Sequence, residues 1–208
     1  MKIKVCGLRD PENIKAVAAL NPDYMGFIFY NGSPRFVDEL PVEALETIPA
    51  TINKTAVFVN ESAETINKLI DKYNFDFIQL HGDESPDFCN SFRDKAIVIK
   101  AFGINNDFDF KLLDKYKKKV DLFLFDTKTE NHGGSGITFD WNILDKYELE
   151  IPFFLSGGIS PDNIEEVKYI NHPKFYGVDL NSKFELSPGL KSIEKLEKAF
   201  NTIKQSAE

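Results

Sequence analysis

The chain has few cysteines and no long apolar run, and both features limit the cellular compartment in which it is expected to work. Only two cysteines, Cys6 and Cys89, occur in 208 residues, too few for the disulfide framework of a secreted scaffold. The most apolar runs, Tyr24–Tyr30 and Leu122–Phe125, fall far short of the roughly 20 residues that span a bilayer. Charged residues also appear before any apolar stretch of signal-peptide length. We therefore expect a cytoplasmic chain with reduced thiols and no membrane partner.

Positive charge is also in short supply. The chain has 25 Lys and Arg against 33 Asp and Glu, a net charge of -8. A surface of that sign repels nucleic-acid backbones at long range, so no nucleic-acid partner is expected. Any anionic ligand must be held locally, by backbone N–H groups, a helix terminus or a few well-placed cations.

The chain alternates short apolar runs with segments of helical pattern, and its length suits one domain. Residues 1–208 are therefore interpreted as a single catalytic domain. Eight short apolar runs have the length of buried strands. They begin near Ile3, Tyr24, Thr55, Phe77, Ile97, Leu122, Phe153 and Phe175. Helical spacing or caps are found at Pro11–Leu20, Ser62–Tyr73, Pro86–Phe92, Phe108–Lys118, Trp141–Tyr147, Ser160–Tyr169 and Ser192–Lys204, and more weakly at 42–48.

This alternation predicts the α/β class, as a single (β/α)8 TIM barrel with a parallel eight-stranded core. An open doubly wound sheet is the alternative. The longest spacings follow the second and sixth strands, which makes 30–41 and 127–140 long loops. In a barrel such loops lie on the C-terminal face, over the site of the chemistry.

Two strand ends carry groups suited to acid and base chemistry. Cys6 follows the run Ile3–Val5 and Asp126 ends the run Leu122–Phe125. A cysteine beside a strand is also commonly a small buried hydrophobe, and Cys89 is interpreted in that way. Asp126 is equally suited to a turn or a helix cap. Position alone leaves these alternatives open.

Two further segments are suited to binding phosphate. Gly157 and Gly158 follow the seventh strand, while Asp179, Asn181 and Ser182 end or follow the eighth. Loops seven and eight form the recurrent phosphate site of this fold, where backbone N–H groups approach the anion. Paired glycines are common in ordinary turns as well.

Two other polar residues bear on substrate binding. Arg35, in the long second loop, offers a planar guanidinium suited to a carboxylate, although a solvated arginine would look the same. His81, at the end of the fourth strand, is suited to substrate contact or to a structural role. His132 and His172 lack the spacing of metal ligands, so no metal site is predicted.

Seven short motifs, in order along nearly the whole chain, resemble those of the phosphoribosylanthranilate isomerase family. They are Lys4-Val5-Cys6-Gly7, Ser33-Pro34-Arg35, Gln79-Leu80-His81-Gly82, Phe125-Asp126, Gly133-Gly134-Ser135-Gly136, Ser156-Gly157-Gly158 and Gly177-Val178-Asp179. Because they fall at successive strand ends, chance agreement is improbable. One departure is Lys183, where the family often has glycine.

The resemblance implies a (β/α)8 barrel that works in tryptophan biosynthesis without a metal or an organic cofactor. It implies an Amadori rearrangement of N-(5-phosphoribosyl)anthranilate to 1-(2-carboxyphenylamino)-1-deoxyribulose 5-phosphate. Asp126 would protonate the furanose ring oxygen, and Cys6 would remove the C2 proton. Such chemistry needs a protonated acid and a partly ionised thiol near neutral pH.

The same resemblance implies how the substrate is bound. Arg35 would hold the anthranilate carboxylate, and the phosphate would be bound by the segments Gly157-Gly158 and Asn181-Ser182. The remaining substrate-binding positions are His81, Gly134 and Asp179. The expected partner is thus one phosphorylated sugar-anthranilate substrate, and the chain would be a monomer or a homodimer.

Two other functions stay open at this point. Another phosphate-binding barrel, an indole-glycerol-phosphate synthase or a histidine-pathway isomerase, would share the fold but place other groups at the strand ends. The histidine-pathway enzyme has an aspartate where this chain has Cys6. A catalytically silent phosphate-binding module would share the loops, because fold alone does not establish turnover.

Overall fold

A closed barrel of parallel strands confirms the predicted fold class. The computed structural model describes residues 1–127 and 140–204 of the chain, and within them eight strands follow one another around the barrel, with β8 pairing back to β1. The strands are β1 (Lys2–Cys6), β2 (Tyr24–Ile28), β3 (Asn53–Phe58), β4 (Phe77–Leu80), β5 (Ile97–Ile104), β6 (Leu122–Thr127), β7 (Phe153–Leu155) and β8 (Phe175–Leu180). Gly134 and His132 lie outside the described residues.

The strands are almost continuously apolar because both of their faces are buried. On β1, Ile3 and Val5 pack outward against the surrounding helices. A separate cluster fills the barrel interior, where Tyr24 meets the rings of Phe77 and Phe154 edge to face at 5.0 and 5.2 Å. The barrel is therefore a packed core, and the site must lie above it, at the strand ends.

Helices cover the outside of the barrel where the sequence predicted them. They are α1 (Pro11–Ala19), α2 (Val42–Glu46), α3 (Ala63–Tyr73), α4 (Pro86–Asn90) and α5 (Ile193–Lys204). Side-chain caps set the starts of α1 and α3: Asp10 accepts a hydrogen bond from Asn13 N, and Ser62 accepts one from Thr65 N. None of the helices in the described ranges is long and apolar enough to cross a membrane.

Three segments predicted as helices are shorter and form 3₁₀-helices. They span Phe110–Tyr116, Trp141–Lys146 and Ile164–Tyr169. In the first, the buried positions Phe110, Leu113 and Tyr116 recur every third residue. A period of three matches the 3₁₀ repeat, in which side chains three apart lie above one another.

A short hairpin after β8 was not predicted. A 3₁₀ turn (Ser182–Phe184) leads into β9 (Glu185–Ser187), which pairs antiparallel with β10 (Leu190–Lys191). Pro188 and Gly189, a turn dipeptide, form the connection, and Gly189 has a φ of 84°. Because the hairpin follows β8, it lies on the C-terminal face of the barrel, as does the loop that follows β2.

Candidate active site

The C-terminal ends of the strands bring the predicted site residues together. One pocket is bordered by Cys6, Tyr30, Arg35, Gln79, His81, Asp126, Ser156, Asp179 and Asn181, among others. An adjoining pocket is bordered by Arg35, Asp126, Gly157, Gly158, Asn181 and Ser182. Of the positions predicted for the site, only Gly134 falls outside the described part of the chain.

Cys6 is the last residue of β1, and its side chain faces the pocket although only 2% of the residue is exposed. Burial raises the pKa of the thiol, and the Asp179 carboxylate adds to that rise. The charges of Lys4 and Lys191 oppose the shift without cancelling it. The free protein thus favours a protonated thiol rather than the partly ionised one expected from the chemistry.

Beneath Cys6 lies a buried ion pair that the sequence analysis missed. Lys4 Nζ stands 2.9 Å from Asp179 Oδ1, and the two side chains are 0% and 5% exposed. The two residues are register partners on β1 and β8. Burial raises the pKa of Asp179, and Lys4 opposes that rise. A lysine in the middle of an apolar strand was the available signal, since a buried cation requires a partner.

Asp126, at the end of β6, accepts one backbone hydrogen bond and lies close to His81. Thr127 N donates to its Oδ1 at 2.8 Å, and His81 Nε2 lies 3.4 Å from its Oδ2. The other ring nitrogen of His81, Nδ1, lies 2.8 Å from the side-chain amide nitrogen of Gln79. His81 therefore contacts the predicted acid.

Gly157 lets the chain pass closely over this carboxylate. Its φ is 77°, a conformation in which L residues are strained. An added Cβ would stand 2.4 Å from Asp126 Oδ1 and 2.3 Å from Thr127 N. The glycine predicted for phosphate binding is therefore also required by the position of Asp126.

Arg35 borders both pockets, but its guanidinium already has an anionic partner. Glu185, from β9, accepts hydrogen bonds from Arg35 Nε at 2.9 and 3.1 Å and from Nη2 at 2.7 Å. Lys191 Nζ lies 2.5 Å from the same carboxylate and 2.7 Å from Asn181 Oδ1. Burial tends to raise the pKa of Glu185, but Arg35 and Lys191 together hold it below its ordinary value. Sequence reasoning missed Glu185 and Lys191 with the hairpin that carries them.

The second pocket is bordered by the glycine pair predicted for phosphate binding. Gly157 and Gly158 both have positive φ values, and Asn163 Nδ2 holds the Gly158 carbonyl at 3.0 Å. Lys183, the departure from the family pattern, is exposed. In the described ranges, no group of three His, Cys, Asp or Glu side chains is placed to hold a metal ion.

Comparisons with known proteins show which family this chain is similar to. A family model described as N-(5'phosphoribosyl)anthranilate (PRA) isomerase matches residues 3–202. The N-(5'-phosphoribosyl)anthranilate isomerase of Parabacteroides distasonis is 47% identical over 98% of this chain and 93% of that protein. The crystal structure of the phosphoribosyl anthranilate isomerase from Thermus thermophilus has a TM-score of 0.85 at 28% identity, covering 99% of each chain. A phosphoribosyl anthranilate isomerase in complex with reduced 1-(o-carboxyphenylamino)-1-deoxyribulose 5-phosphate has a TM-score of 0.80 at 27% identity, covering 99% of each chain.

Proposed function

The chain belongs to the N-(5'-phosphoribosyl)anthranilate isomerase family, and we propose that in its reaction Cys6 is the general base and Asp126 the general acid. The protein is accordingly an isomerase of tryptophan biosynthesis that rearranges N-(5'-phosphoribosyl)anthranilate. Family membership confirms the resemblance seen in the motifs. It disfavours the synthase, the histidine-pathway isomerase and the silent binding module.

One observation carries the residue assignment: Cys6 and Asp126, at the ends of β1 and β6, border the same pocket. Arg35 borders that pocket too, and the Gly157-Gly158 segment borders the adjoining one. The substrate has a carboxylate at one end and a phosphate at the other. Carboxylate binding by Arg35, chemistry between Asp126 and Cys6, and phosphate binding at the glycines would all occur within these two adjoining pockets, both of which Arg35 and Asp126 border.

Asp126 opens the sugar ring. The substrate nitrogen pushes its lone pair toward C1, the bond from C1 to the ring oxygen breaks, and Asp126 gives that oxygen a proton. The products of this step are a cationic Schiff base and the Asp126 carboxylate. His81 Nε2 and Thr127 N, which contact the two carboxylate oxygens, stabilise the charge that develops there.

Cys6 then removes the C2 proton as a thiolate. The electron pair of the C2–H bond forms the C1–C2 double bond of an enolamine, and the Schiff-base nitrogen becomes neutral. Burial raises the pKa of Cys6, so the thiolate is scarce until a positive charge arrives beside it. The cationic Schiff base supplies that charge when the base is needed. Tautomerisation of the enolamine gives the ketone.

An Asp126→Asn variant tests the acid. It should bind the reduced product analogue, whose chain is already open, with nearly wild-type affinity, because the shape of the side chain is retained. Its kcat with the ring-closed substrate should fall by about 10²–10⁴, the usual loss when a general acid is removed. An Asp126→Asn protein with wild-type kcat would contradict the assignment.

The remaining partner expectations belong to the same proposal. A phosphorylated metabolite does not cross membranes unaided, which supports work in the cytoplasm. The net charge of -8 supports the absence of a nucleic-acid partner, since like charges repel. Whether the chain is a monomer or a homodimer stays a prediction, and sedimentation equilibrium would measure it.

A further inference from the structure

Four side chains at the edge of the first pocket form a polar group, here called the Glu185 cluster: Arg35 and Asn181, which border the pocket, and Glu185 and Lys191. The side chains of Glu185 and Lys191 are 4% and 0% exposed, and that of Arg35 is 12% exposed. Two cations share one carboxylate, so the cluster has one unbalanced positive charge. Charges this deeply buried are retained only with good hydrogen-bonding geometry.

Glu185 uses one particular edge of the Arg35 guanidinium. Its two oxygens accept from Nε and from Nη2. No residue within 1–127 or 140–204 accepts a hydrogen bond from Nη1. Because guanidinium has five N–H donors in a fixed plane, the edge formed by Nη1 and the second Nη2 hydrogen is left for another carboxylate.

Arg35 lies between Glu185 and the pockets. Arg35 borders both pockets, whereas Glu185 borders neither of them. The Arg35 stem crosses directly over Gly7, where an added Cβ would lie 2.6 Å from Cδ and 2.8 Å from Asn181 Oδ1. Glu185 therefore contacts the guanidinium from outside the two pockets, and the Arg35 stem packs against Gly7.

Glu185 is itself fixed to the barrel. Its Oε1 accepts from Gly189 N at 3.2 Å and lies 2.5 Å from Lys191 Nζ. The backbone of Lys191 is locked to α1, because Lys191 N donates to Asn13 Oδ1 at 2.7 Å and Asn13 Nδ2 donates to the Lys191 carbonyl at 3.0 Å. The unpredicted hairpin thus acts as a rigid support.

We propose that Glu185 is a positioning residue that orients Arg35 so that its free edge binds the substrate's aromatic carboxylate. This inference rests on the proposed function, because it takes Arg35 as the carboxylate ligand. Lys191 balances the charge of Glu185. The positive charge of Arg35 is then left for the carboxylate of the substrate to neutralise. Such orientation reduces the freedom that Arg35 must lose on binding.

The test compares two ligands in Glu185→Gln. One ligand is the reduced product analogue; the other is the same compound built from aniline, which lacks the carboxylate. Glu185→Gln should weaken binding of the first about 10- to 100-fold, the range for loss of an interaction with a charged group, and should raise KM similarly with little change in kcat. Binding of the second ligand should be nearly unchanged, since its binding does not use the Arg35 edge.

Controls separate this role from a structural one. Glu194→Gln removes a carboxylate from an exposed ion pair with Lys198 on α5 and should change nothing. Glu185→Asp, which keeps the charge, should show the same ligand-selective loss in smaller measure and serves if Glu185→Gln does not fold.

Three results would overturn the proposal: equal loss for both ligands, tighter binding of the carboxylate ligand, or no change. Tighter binding would mean that Glu185 competes with the substrate. If instead Arg35→Lys binds both ligands as the wild type does, the carboxylate assignment in the proposed function fails. The wild type is measured with both ligands as well. If it binds the carboxylate ligand more tightly and Glu185→Gln leaves that preference unchanged, the Glu185 proposal fails while the carboxylate assignment stands.

Discussion

Replacing Gly157 by alanine should damage catalysis more than phosphate binding. The new Cβ would stand 2.4 Å from Asp126 Oδ1, where ordinary contacts begin near 3.4 Å, so the carboxylate must move by about 1 Å. Thr127 N, at 2.3 Å, is backbone within β6 and cannot yield as easily. A displacement of about 1 Å at a reacting group can cost about 10²-fold in rate. We expect kcat to fall by about that factor, with a smaller change in KM.

Gly158→Ala is the matched control. Gly158 has a φ of 69°, close to the 77° of Gly157, so both variants carry the same kind of backbone strain. That strain is about 1–2 kcal/mol for an alanine, which should lower Tm by a few degrees in both. Steady-state assays following loss of the substrate, with thermal melts of each variant, measure the two effects. If kcat of Gly157→Ala equals that of Gly158→Ala, the contact with Asp126 does not matter and the reasoning is refuted.

Three further perturbations have expected outcomes. Iodoacetamide should alkylate Cys6 faster as the pH rises through the raised pKa of the thiol. At one fixed pH, Asp179→Asn should speed the alkylation and Lys4→Met should slow it. The reason is that the Asp179 carboxylate raises the pKa of the thiol whereas the Lys4 ammonium lowers it. Inorganic phosphate should compete with the substrate, giving a higher apparent KM at unchanged kcat, because it would occupy the glycine-bordered pocket. Lys100→Met should reduce the free energy of unfolding by about 3–5 kcal/mol, because it leaves Glu84 buried without the ammonium 3.1 Å away.

Each of these has its own control. Cys6→Ala measures background alkylation at Cys89, whose pKa burial raises to about 12; equal rates in the two charge variants would exclude electrostatic control. Sulfate should compete as phosphate does, and a purely noncompetitive effect would place the anion elsewhere. Lys198→Met, in an exposed pair, should leave urea unfolding nearly unchanged, and a similar effect from both lysine variants would discredit the burial argument.

The barrel was predictable from sequence because its strands are buried on both faces. Continuous apolar runs placed the starts of β2, β4, β5, β6, β7 and β8 where the structure has them. Caps likewise placed α1 and α3. The 3₁₀ segments were harder, because a buried residue every third position over two turns resembles a short helical stripe.

The site was only partly predictable for a physical reason. Cys6, Asp126 and the glycines stand at strand ends, so topology alone brings them together. Glu185 and Lys191 act through contacts between a hairpin and a distant loop, and no local pattern pairs Arg35 with a residue 150 positions later. The raised pKa of Cys6 also depends on burial and on charges from other strands.

Cleavage of the C2–H bond tests the central claim most directly. In a single turnover with substrate deuterated at C2, the wild type should lose the label with a primary isotope effect if this step limits the rate. Cys6→Ala should bind the reduced product analogue normally and lose the label about 10²–10⁴-fold more slowly. Loss of the label by Cys6→Ala at the wild-type rate would contradict the account.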